Sequence, residues 1–194
     1  AMRTAASTQE MLEMDHPSSS SSTWMICFTH LPHPLCGYYA SLLEGIPIRP
    51  FKYIQGGNEE GVTVNMTAPV LTGITPSDGP FCQTSFIVRF FVPLAFQDNP
   101  PIPLSSLDLN VERWDSPTYF AVREFSGFAS DTNVAQEGAA LAASVDAAGF
   151  TISSTPKDEV YIIAQYNSPF DITGRVNEVW LPISINDTSR LNVA

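Results

Sequence analysis

The segment "HLPHPLC", His30 to Cys36, holds the side chains best suited to gripping a metal. In a polyproline II helix, with three residues per turn, His30, His33 and Cys36 share one face. Two imidazoles and a thiol suit a soft cation. The pattern supplies neither a fourth ligand nor groups to orient the first three, so a proline-rich irregular segment is the better reading and no metal site is assigned. The three histidines, His16, His30 and His33, all precede Phe51. The rest of the chain therefore offers no imidazole as a general base. Glu59, Glu60, Glu124 and Glu178 are carboxylates that no motif pairs. No GxSxG, HExxH, Walker-type loop or dinucleotide fingerprint occurs. The three cysteines, Cys27, Cys36 and Cys82, lack CxxC spacing and read as buried thiols, although one bridge stays open.

These residues sit in a chain of 194, a length typical of one domain. A formal charge of −11 argues against nucleic-acid backbones and anionic membrane surfaces as partners. With 44% hydrophobic and 15% charged residues the chain has the means to build a core. The most apolar windows, Trp24–Phe28 and Phe86–Phe96, are too short to span a bilayer, so no membrane insertion is expected. No basic-then-apolar start marks a secretory signal, which favours the cytoplasm. Two glycosylation sequons, at Asn65 and Asn186, would matter only in a secreted protein.

Sixteen prolines, twelve phenylalanines and frequent Val/Ile/Thr runs favour strands. Residues 1–22, ending in the serines Ser18–Ser22, read as a disordered tail; 23–188 read as a single domain, and 189–194 as a second tail. Strands are predicted at Thr23–Phe28, Val62–Leu71, Ser85–Pro93, Asp108–Trp114, Thr118–Phe125, Glu159–Tyr166 and Val176–Ile183. "FKYIQGGN" resembles a last helical turn with a glycine cap at Gly56 or Gly57. A second helix spans Asn133–Ala148, capped by Asp131 or Thr132, with Val134, Leu141 and Val145 on its buried face. Strand, helix, strand and strand occur in that order twice, with "TAPV" and "NSPF" as matching bends. The expected class is α+β: a distorted β-barrel of two such repeats with two flanking helices, the first shortened by Pro47 and Pro50.

Proline in "MTAPV" interrupts an apolar strand, where it cannot donate to a ladder. Together with "FKYIQGGNEE", "TPSDGPFC", "SFIVRFFVP", "AVREFSGFASD", "AQYNSPF" and "GRVNEVWLP", it resembles the SOUL haem-binding family in its plant-type form, over 51 to about 185. The resemblance implies haem or another tetrapyrrole as ligand, held in a shallow apolar groove by a monomeric carrier or buffer, without catalysis. It implies that "MTAPV" bends beside the groove and that Asn167–Arg175 is the mobile rim loop. Phe51, Ile54, Met66, Phe170, Ile172 and Arg175 would then face the ligand, with Arg175 as the propionate contact. Upstream of Phe51 the resemblance stops, so residues 1–50 read as a divergent replacement or a mistaken gene prediction.

Each of these residues also has a plainer reading. Met66 alone is more often packing than a contact. Phe86, Val88, Phe90 and Val92 read as core. Asn177 and Glu178 of "NEVW" read as satisfying strand groups. Arg89 and Arg123 read as partners of Glu124 or Glu178. Axial ligation is not needed for binding: covering about 300–400 Å² of porphyrin is worth roughly 7–10 kcal/mol gross, and association removes several. The alternative function is an effector-type small-molecule binder or hydrolase using a groove-facing glutamate.

Overall fold

The computed structural model describes residues 9–13, 23–30, 48–75, 85–114, 119–153, 159–168 and 170–184. The strands are β1 (Gln9–Glu13), β2 (Thr23–His30), β3 (Val70–Thr75), β4 (Ser85–Phe91), β5 (Asn110–Trp114), β6 (Tyr119–Ser126), β7 (Thr151–Ile152), β8 (Tyr161–Gln165) and β9 (Val176–Ser184). The helices are α1 (Ile48–Ile54) and α2 (Asp131–Ala147). Of the other segments of the sequence reading, the "PSDGPFC" part of "TPSDGPFC" and the His33–Cys36 stretch lie outside the described residues. Inside the segment read as a tail, Gln9–Glu13 pairs along β6.

One antiparallel sheet runs β1-β6-β9-β8-β3-β4-β2-β5, with β7 on the far end of β9. The order is a palindrome about the β3–β8 junction. Each half is a strand, a helix and two strands, β2-α1-β3-β4 and β6-α2-β8-β9. The expected repeat is present, but its bends do not match. "TAPV" enters β3, whereas "NSPF" leaves β8. β3 also starts only at Val70, directly after Pro69, and not at Val62. Between Val62 and Pro69 the chain makes one isolated bridge, Gln55 to Thr63, and the Val64 amide donates to Ile54 O at 2.8 Å.

The sheet is not a barrel: among the described residues β1 and β5 are its two edges and do not pair. It is nevertheless strongly curled. β5 and β6 lie six strand positions apart, about 29 Å on a flat sheet. Trp114 and Tyr119 are five Cα steps apart, a reach of at most about 19 Å. Only curling reconciles the two, and the Trp114 and Phe120 rings meet at 6.0 Å on the inner face. Side-chain packing thus spans the inside of the gap where ladder hydrogen bonds would have closed a barrel.

Met25, Leu71, Ile87, Phe120, Val122, Ile162, Ala164 and Trp180 fill the inner face. Among them lies Arg89, fully buried, 2.5 Å from Glu159 and 3.3 Å from Glu112, with Trp114 5.7 Å from its guanidinium. Arg89 was expected to pair with Glu124 or Glu178; the curl brings Glu112 and Glu159 to it instead. Gly73 is the residue that leaves room. A Cβ there would stand 1.5 Å from Glu159 Oε1 and 2.8 Å from Arg89 Nη1. Arg123 pairs with Glu137 of α2.

The outer face carries both helices. α2 covers β6, β9 and β8 with Val134, Leu141 and Val145, as its periodicity predicts. Its cap is Ser130, one residue before the expected pair, in a reciprocal box with Asn133. α1 starts at Ile48 with Pro50 in its first turn, where the missing N–H has no helical acceptor anyway. It ends as predicted: Gly56, at φ +100°, donates to Tyr53 O and Gly57 donates to Lys52 O, the Schellman pattern. α2 ends on the same two bonds, from Gly149 to Asp146 O and from Phe150 to Val145 O.

Two predictions follow from this packing. Gly73→Ala drives a methyl into a buried ion pair, so urea unfolding should show a loss of about 3–5 kcal/mol, the cost of breaking such a pair. Gly138→Ala on α2, whose new Cβ would meet only Val179 at 3.9 Å, should instead stabilise by up to about 1 kcal/mol. The second concerns Tyr53, whose hydroxyl donates to Pro101 O at 2.8 Å. Burial, then the Glu60 charge, pushes its phenol up to about 12 from 10.0. Because the folded value lies above the unfolded one, this contribution is whole below pH 10 and is lost as pH rises through about 12. Unfolding midpoints measured across that window should fall, and Tyr53→Phe should flatten the fall while costing about 1 kcal/mol at neutral pH.

Candidate functional site

The β8–β9 hairpin loop spans 166–175. An ordinary surface loop of this length has few internal ties; this one has many. Asn167 accepts from the Val176 amide at 2.7 Å and donates to Gly174 O at 3.4 Å. Asp171 Oδ2 accepts from the Ser168 amide at 3.1 Å, and Ser168 Oγ accepts from the Phe170 amide at 3.3 Å. The Asp171 amide returns to Ser168 O at 3.0 Å. Gly174 supplies the left-handed turn at φ +65°. Arg175 fills the middle: its Nη1 donates to Ser168 O at 2.9 Å and to Asp171 O at 2.7 Å. Its guanidinium carbon stands 4.6 Å from the centre of the Phe128 ring.

What this framework holds out is apolar. Phe170 is 81% exposed and Ile172 78%. Phe51, on the outer side of α1, and Met66, on the approach to β3, are also exposed. The isolated bridge and the Val64–Ile54 bond join the α1 end to the chain carrying Met66. The ladder pair Val70 with Gln165 sets the rest: the chain enters β3 from Met66 at the same sheet end where β8 leaves into the loop. Thr67 anchors that approach by donating to Phe91 O at 2.8 Å. Four of the six residues singled out by the sequence, Phe51, Met66, Phe170 and Ile172, thus stand exposed; Met66 and the two loop residues flank the β3–β8 junction, while Phe51 lies on α1.

The other two are inside. Ile54 is 6% exposed and packs with Val64, Val88 and Phe90. Arg175 is also 6% exposed, its charge turned onto loop carbonyls instead of solvent. Sequence reasoning did not single out Phe128, Asn167 or Tyr166. The signal for Phe128 was an aromatic residue in a Ser-Gly-Phe turn just ahead of a helix cap, where nothing local would bury it.

Two of the four carboxylates, Glu60 and Glu178, have structural duties. Glu60 accepts from the Ile102 amide at 3.0 Å. Glu178 Oε2 takes two donors, Tyr166 OH at 2.7 Å and Trp180 Nε1 at 2.8 Å. Burial and this bond to Glu178 hold the Tyr166 phenol well above its ordinary range. Asn177 satisfies strand groups as expected, donating to Phe125 O and Gly127 O. Register places Glu124 and Glu178 opposite each other, a pairing that no sequence motif signals. Among the described residues no cluster of three or more His, Cys, Asp or Glu could hold a metal ion, and no helix is long and apolar enough to cross a membrane.

The family model for the SOUL heme-binding protein matches residues 44–182. Heme-binding protein 1 of Sus scrofa is 33% identical over 141 residues, 73% of this chain and 70% of that protein. Heme-binding protein 2 of Homo sapiens is 36% identical over 140 residues, 72% of this chain and 65% of that protein. About a third of each relative therefore lies outside the match. Among solved structures the C-terminal domain of EcmrR superposes with a TM-score of 0.60 at 9% identity, covering 92% of this chain and 98% of that domain. That likeness speaks to the fold alone. The family model's span and the identity to these relatives lead to one conclusion: the chain belongs to the SOUL heme-binding protein family.

Proposed function

We propose that this protein binds haem or another tetrapyrrole non-covalently, as a monomeric carrier or buffer and not a catalyst. One observation supports the reading most directly. A loop tied down by its own hydrogen bonds keeps two large apolar side chains, Phe170 and Ile172, almost wholly in water. Exposed apolar surface on a braced loop has its gain waiting in a partner, and little ordering entropy is lost on contact. A flat porphyrin is such a partner, and the relatives carry heme in their names.

Phe170, Ile172, Met66 and Phe51 form the contact set in this reading, with Ile54 supporting α1 from beneath. The set is apolar throughout, which fits a macrocycle recognised by its face. Burial, and not a bond to iron, then carries the affinity. Haem and iron-free protoporphyrin should bind with similar, micromolar affinity when titrated by quenching of tryptophan fluorescence. Tight haem binding with no response to the iron-free ring would show that axial coordination carries the site and would sink this account.

The contact set is tested by substitution. Replacing Phe170 and Ile172 together with serine should weaken binding at least tenfold, since about 1.4 kcal/mol or more of apolar burial is removed. Met66→Asp should weaken it similarly by setting a carboxylate against the ring. All these side chains are exposed, so circular dichroism and melting should be unchanged. Unimpaired binding by both variants would place the ligand elsewhere.

A further inference from the structure

Arg175 is built in a way that the propionate-contact reading does not explain. A residue meant to meet a ligand's carboxylate presents its donors outward. Here one guanidinium nitrogen is spent on two carbonyls of its own loop, Ser168 O and Asp171 O. Nε is buried without a hydrogen-bond partner. The guanidinium carbon lies over the Phe128 ring, 4.6 Å from its centre, and the Phe128 carbonyl accepts from Asn133 in the α2 cap at 2.8 Å. The chain of contacts runs from the α2 N-terminus, through Phe128, to Arg175, and on to the two carbonyls that bracket Phe170.

We propose that Arg175 is a positioning residue: its guanidinium pins the 166–175 loop to the β6–α2 corner so that Phe170 and Ile172 stand ready for the tetrapyrrole, and it does not touch the propionates. The proposal rests on the tetrapyrrole reading above for its ligand, but its structural half stands on this chain alone. Lysine in this place keeps a donor for the two carbonyls but loses the delocalised guanidinium that lies over the Phe128 ring. The cost of losing the pin falls on binding, because an unpinned loop must be ordered each time ligand arrives.

The test uses two ligands and two readouts. Protoporphyrin and its dimethyl ester present the same ring, but only the first has carboxylates. Arg175→Ala should weaken both by about the same factor, on the order of tenfold, and the loss should not shrink at high salt. Chymotryptic cleavage after Phe170 should become at least tenfold faster, while the melting temperature moves little. Phe128→Leu keeps the charge and removes the face it lies on; it should weaken both ligands two- to threefold and speed cleavage. Should Arg175→Ala fail to fold, this variant decides alone. Loss of affinity for the diacid only would overturn the proposal in favour of a direct carboxylate contact. Unchanged affinity for both ligands in both variants would overturn it outright. If the wild-type chain binds neither porphyrin, the ligand reading fails, and the cleavage rates still decide whether Arg175 pins the loop.

Discussion

The buried ion pair between Arg89 and Glu159 is the contact on which the rest of the molecule depends. It ties β4 to the residue just ahead of β8, and a second carboxylate, Glu112, ties it to the β5 edge. The charges on these three elements meet on the inner face of the curled sheet, across β3 on one side and β2 on the other. Taking such charges out of water is expensive, and an apolar substitute of the same volume could match the pair in stability. What an apolar substitute would not do is specify position. Arg89 must pass the one strand residue without a side chain, Gly73, so β3 is held in a single register against β4 and β8. That register in turn brings Met66 and the 166–175 loop to the same end of the sheet.

How much of this was legible beforehand varied with distance along the chain. Local signals were read well. The apolar face of α2, the glycine end of α1 and the strands at Ser85, Asn110, Tyr119, Tyr161 and Val176 needed only neighbours in sequence. Errors appeared where a partner far away decided. Val62–Val64 have strand-like side chains, yet the ladder that would recruit them begins at Val70, because Pro69 breaks the row of donors. A closed barrel was expected from the repeat, but closure depends on whether the two edge strands meet, which no local pattern encodes.

The same limit separates the site residues. Phe170 and Ile172 came from the family resemblance, which put them on the rim loop, and they do stand exposed there. Ile54, at the end of α1, and Arg175, in the loop, have distant partners, Val88 and Phe90 for one, Phe128 for the other. Residue type alone would leave an arginine in a loop exposed. Its burial here follows from two carbonyls turned inward by the Ser168–Asp171 turn, a matter of backbone geometry that side-chain lettering does not carry.

The palindromic strand order also has a consequence during synthesis. β3, β4, β2 and β5 are all encoded by residue 114 and can pair among themselves, leaving β3 as a bare edge. Its proper neighbour is β8, with Thr72 opposite Ile163. At about 5–20 residues per second, the nascent half waits on the order of ten seconds for that neighbour to leave the ribosome. During that interval an apolar strand edge stays unpaired, with another nascent copy on the same message as its nearest wrong partner. A chain with this topology therefore completes its sheet only once β8 has been made.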